Sequence, residues 1–109
     1  MNNEQPVLDK AQKRFIWKVR KIVIESSPPI TERQRTAFMR KWWSFGSYDN
    51  YTADVARKHL RECEINIDIT PIELCTPMMG DNATLGGDSA YCFASIVAEC
   101  ILFSKTLRI

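Results

Sequence analysis

The chain has 109 residues, 45% of them hydrophobic and 26% charged, a composition that sustains one buried core and excludes wholesale disorder. Its net charge of +2 hides a split: residues 1–61 carry 13 Lys/Arg against 6 Asp/Glu, and residues 62–109 carry 2 against 7. Met1–Lys21 lacks the apolar core of a secretion signal, and the most apolar run, Ala90–Phe103, falls short of the about 20 residues of a membrane-spanning helix.

Residues 1–8 are polar and include Pro6, the composition of a loose lead-in to a single helical domain over 9–109. Asp9 suits the N-cap of a first helix over Lys10–Ser26. On a 3.6-residue wheel Leu8, Ala11, Phe15, Ile16, Val19, Ile22 and Val23 share one arc, the expected buried stripe. Lys10, Lys13, Arg14, Arg20 and Lys21 fall opposite, with Lys18 at the edge of the stripe. Trp17 and Ile24 interrupt that basic face, and two large apolar groups there need either a covering segment or a partner.

Ser26-Ser27-Pro28-Pro29 ends this helix. Thr31 with Gln34 three positions later is a capping box opening a second helix, and Gly46 is a natural terminator for it. Phe38, Trp42 and Phe45 share its inward face with Met39 beside them, while Arg33 and Arg40 point away. Lys41 lies on the flank and Trp43 at the border of the basic side, so the adjacent tryptophans have different roles. A turn over 47–50 leads to Thr52, which caps a third helix from Ala53 to about Glu64. Its apolar edge is Ala53, Ala56, Leu60 and Cys63, with Arg57, Lys58 and Arg61 outward. Short connections favour antiparallel neighbours among these three helices.

Ile65, Ile67 and Ile69 alternate with Asn66 and Asp68, the period of an extended segment. Thr70-Pro71-Ile72-Glu73 starts a helical turn through Cys75 that Pro77 is expected to stop. Met78–Asp88 holds three glycines and reads as a loop, after which Asp88 or Ser89 caps a final helix to about Lys105. With Glu99 its only internal charge, that helix is either the centre of the core or an oligomer interface. The fold class expected is mainly α: an irregular bundle of about four helices around the C-terminal helix, with a short extended segment near 65–69.

Chemistry is sparse. His59 and Cys63 lie one helical turn apart with Cys75 further on, but there is no second histidine and no CxxC spacing, so no metal or cofactor is expected. Cys92 and Cys100 are about 12 Å apart along one helix, too far for a disulfide within it. Reduced, buried thiols in a cytoplasmic protein are the expectation. A catalytic set fails as well: Glu62 points away from His59 and Cys63, and Gly80–Ser89 lacks the lysine of a phosphate loop. No enzymatic activity is expected.

The main candidate site is the basic aromatic surface of Lys13, Trp17, Arg20 and Lys21, joined by Arg33, Arg40, Lys41 and Trp43. Cations neutralise phosphates and flat rings stack on bases, so the expected function is a small regulatory nucleic-acid-binding protein. Tryptophan and arginine are equally the preferred anchors of protein interfaces. The alternative is therefore a protein-binding inhibitor, antitoxin or immunity-type module. A third reading makes the chain a homo-oligomeric structural subunit joined through the final helix.

Overall fold

The computed structural model describes residues 10–46, 50–79 and 92–107. The expected caps Asp9, Asp88 and Ser89, residues 47–49 of the expected 47–50 turn, residues 80–88 of the expected Met78–Asp88 loop and Leu8 of the expected stripe all lie outside the described residues. Within them the chain is mainly α, with helices α1 (Lys10–Ser26), α2 (Glu32–Phe45), α3 (Ala53–Glu62), α4 (Thr70–Met79) and α5 (Phe93–Leu102). No helix among the described residues is long and apolar enough to cross a membrane.

α5 is the centre. Ala94, Ile96, Val97, Ala98, Cys100 and Ile101 are buried on several sides of it, and it packs against α1, α2 and α4. α1 and α2 therefore flank α5 instead of packing mainly on each other, as the short connection between them led one to expect. Trp42 donates its indole N–H to the Ala94 carbonyl at 3.0 Å, while Arg35 reaches the other end of α5. Its guanidinium donates to the carbonyls of Ile101, at 3.1 Å, and Ser104, at 2.7 Å. α2 thus runs antiparallel to α5, and Arg35 caps the open carbonyls and negative dipole end of α5.

The segment after α5 straps the bundle. Ile30 donates its N–H to the Lys105 carbonyl at 2.9 Å and accepts from the Leu107 N–H at 2.7 Å, a parallel bridge between Ile30 and Thr106. Lys105 Nζ also donates to the Glu25 carbonyl at 3.0 Å, closing the C-terminal end of α1.

The capping box of α2 forms as expected, with Thr31 accepting from the Gln34 N–H and Gln34 accepting from the Thr31 N–H. Gly46 stands at its C-terminal end with φ 81°, in the left-handed region that glycine tolerates best. α3 closes on a less usual residue. Glu64 has φ 59°, the Ile65 N–H bonds the Leu60 carbonyl, and the Glu64 N–H bonds the Arg61 carbonyl. That is a Schellman ending with glutamate in the glycine position.

Ile65, Ile67 and Ile69 are buried and Asn66 and Asp68 exposed, so the period-2 pattern is realised by an extended segment that joins no sheet among the described residues. Each buried isoleucine contributes about 1.5–3 kcal/mol, which holds the segment down without a ladder. The Thr70-Pro71-Ile72-Glu73 pattern predicts a capping box with Thr70 as N-cap, but Thr70 is the first residue of α4 and the Glu73 N–H bonds the Ile69 carbonyl. The Asp68 carboxylate accepts the Thr70 N–H at 3.0 Å, and the Thr70 hydroxyl is turned to Arg57 instead. α4 also continues past Pro77 to Met79. A proline removes only one ladder bond, and the packing of α4 on α1 and α5 outweighs that local loss.

The buried stripe of α1 is narrower than expected. Ile16, Val19, Arg20 and Val23 are buried, whereas Ala11, Phe15 and Ile22 are exposed. α1 meets the core along one seam, because α4 and α5 cover only that side.

Candidate functional site

Arg20 corrects the sequence reading most directly. Expected on the basic face, it is 2% exposed and its Nε lies 2.9 Å from a Glu99 carboxylate oxygen. The two charges form an ion pair that joins α1 to α5. The guanidinium carbon also sits 4.2 Å from the Trp17 ring centroid, a cation–π contact. One positive charge and one ring face of the candidate surface are thereby already engaged inside the molecule.

Lys41 is the second correction. Its ammonium lies 3.0 Å from the Glu62 carboxylate. That hydrogen bond raises the lysine pKa and lowers that of the glutamate. Lys13 is partly buried, whereas Lys21, Arg33 and Arg40 are exposed. Arg33 and Arg40 line a shallow depression on α2 together with Glu32 and Thr36.

Trp17 and Trp43 are 54% and 71% exposed, but they occupy different grooves. Trp17 and Ile24 line an open groove of about 630 Å³ between α1 and Phe103 just beyond α5, edged by Arg14, Lys18 and Lys21. Trp43 lines a smaller one between α2 and α5 with Met39, Ala98 and Leu102. Glu99 lines this second groove while pairing with Arg20 of the first. The two tryptophans therefore belong to one three-helix face, α1–α5–α2, with α5 as the ridge between them.

Local physics explains the first groove. The pairing of Arg20 with Glu99 and the neighbouring of Ile24 with Phe103 set α1 and α5 running in the same sense. The strap at Ile30 and the Lys105–Glu25 bond fix the chain just beyond Phe103, which holds that ring, 63% exposed, opposite Ile24. Stepping about 100° per residue from buried Arg20 around α1, one meets Lys13 near the helix start, then Ile24 and Trp17, then Lys10, Lys21, Arg14 and Lys18. Apolar floor and cationic rim are thus adjacent strips of one helix. Leu102 and Phe103 escaped the sequence reading as site residues, because a helix apolar on nearly every side gives no sign of which residues its neighbours leave uncovered.

His59 sits in an aromatic nest. Its Nδ1 is 3.1 Å from the Tyr51 hydroxyl, and Phe38, Phe45 and Tyr51 surround its ring. Burial lowers its pKa below the ordinary 6.5 and raises that of Tyr51. Burial pushes the Cys63 and Cys75 thiols up, and Cys100 up to about 12, so these sulfurs stay protonated and weakly nucleophilic. Among the described residues no three His, Cys, Asp or Glu side chains gather as a metal site would require. The hydrogen bond between the tyrosine hydroxyl and the imidazole holds the His59 ring among these aromatic groups.

Comparison with known protein families, with curated proteins and with solved structures returns no match.

Proposed function

We propose that this chain is a protein-binding module, of inhibitor or antitoxin type, that holds its partner on the α1–α5–α2 face and acts by binding. One observation carries the reading: an open groove floored by Trp17, Ile24 and Phe103 on the α1 side of that face. Large exposed aromatic groups in a concave apolar site are what a protein partner's anchor residues fill. The internal pairing of Arg20 and Lys41 takes two cations away from the nucleic-acid reading. Exposed Lys10, Arg14, Lys18 and Lys21 along α1 still speak for that reading, so the test includes it. Four free, buried cysteines support a reducing compartment such as the cytoplasm.

The test is affinity purification with the wild-type chain and with Trp17→Ala and Arg33→Ala variants. One stoichiometric protein retained by the wild type and by Arg33→Ala, and lost with Trp17→Ala, is the expected result. A mobility shift of DNA or RNA at low salt that fades steeply towards physiological salt would instead establish nucleic-acid binding. A dimer by light scattering that Phe103→Asp dissociates would give the face to a second copy of the chain.

A further inference from the structure

We infer that the α1–α5 groove takes an acidic amphipathic helix of the partner protein, an assignment that rests on the protein-binding reading above. Charge complementarity carries it. The floor is apolar, formed by Trp17, Ile24 and Phe103, and Glu99 neutralises Arg20 at the groove's inner edge. Net positive charge is confined to the α1 rim, where Arg14, Lys18 and Lys21 are exposed and have no ion pair among the described residues. Those cations stand at i, i+4 and i+7, about 10 Å along the helix axis. A partner helix lying along the groove presents carboxylates at the same spacing on one stripe and apolar anchors on the next.

The opposite wall decides against a nucleic acid. Across from α1 the groove is walled by Phe103, just beyond α5, and α5 itself reads FASIVAECIL, with no lysine or arginine. A phosphate backbone in the groove would meet cations on one side and an apolar ring on the other. A lipid bilayer surface is flat and cannot enter a concave site. Glu25 lies at the end of the cationic rim, so the partner's carboxylates register on the Arg14–Lys21 stretch and stop short of it.

The test selects a displayed library of random peptides of about 16 residues, four helical turns, on the full chain, with Trp17→Ala as the counter-selection. Enriched peptides are synthesised and measured by fluorescence anisotropy. The expected winners carry Asp or Glu three and four residues apart beside Leu, Ile, Phe or Trp. Their affinity falls about thirtyfold with Trp17→Ala, as for a buried aromatic anchor. It falls about tenfold with Lys18→Glu/Lys21→Glu, whose circular dichroism stays that of the wild type. Winners that need Trp17 but are neutral or basic would overturn the acidic assignment and leave the protein-binding reading standing. Failure to enrich any Trp17-dependent peptide, with a DNA oligonucleotide or anionic vesicles binding instead, would overturn both.

Discussion

Replacing Glu99 by alanine removes the counter-charge of Arg20 and leaves the guanidinium 2% exposed. Stripping one partner from a buried ion pair costs about 3–5 kcal/mol where both charges are dry. Here Glu99 is 30% exposed, so the site already borders water, and the Trp17 ring retains its cation–π contact of about 0.5–2 kcal/mol. Together these bring the expected loss down to about 2 kcal/mol. With a urea m-value of about 1–3 kcal/mol per molar, the midpoint should fall by about 1 M. The melting temperature should fall by about 8 °C. Arg20→Met is the control: it keeps much of the aliphatic stem and removes the charge, leaving only a half-solvated carboxylate, and should cost about 1 kcal/mol or less. The ordering of the two variants is the sharp part of the prediction. Glu99→Ala losing less than Arg20→Met, or under about 0.5 kcal/mol, would mean that water reaches Arg20 freely and that the pair does not join α1 to α5.

Glu64→Gly should stabilise the fold by about 0.5–1 kcal/mol, since φ 59° burdens a residue with a Cβ; a urea midpoint that moves down would refute the Schellman reading of the α3 terminus. His59 gives a pH dependence whose sign is fixed by its lowered pKa. The unfolded chain takes up the proton first, so stability is present above the ordinary value near 6.5 and is lost as pH falls through the folded value. The lowered carboxylates Glu62 and Asp68 act in the same direction at lower pH. Urea midpoints measured at pH 8 and pH 5 should therefore differ for the wild type and differ less for His59→Gln, and equal differences would show that His59 is not neutral in the fold.

Much of the local structure was legible along the chain. The Thr31–Gln34 capping box, the Thr52 cap, the Gly46 terminator and the inward placement of Phe38 and Trp42 follow from neighbours within one helical turn, and each is present. The isoleucine alternation at 65–69 was equally readable, though not that the segment would find core without pairing in a sheet among the described residues. At the candidate site, the sequence set Trp17 and Trp43 apart from the core aromatics, but whether another segment covers them was open until the structure showed both exposed. What they line was not legible. The extent of α4 and the width of the α1 stripe were misread for the same reason: Pro77 and Phe15 were judged by local rules, and packing partners elsewhere in the chain decided them.

The sequence by itself determined a mainly helical chain with a basic first half, an acidic second half and an apolar final helix, because propensity, capping and periodicity act over one or two turns. Only the tertiary structure decided that α5 inserts between α1 and α2, that Arg20 is withdrawn to Glu99, and that Phe103 comes to face Ile24 across a groove. Those contacts join residues about 80 positions apart, and no local rule carries the sign or the partner of so distant a pair.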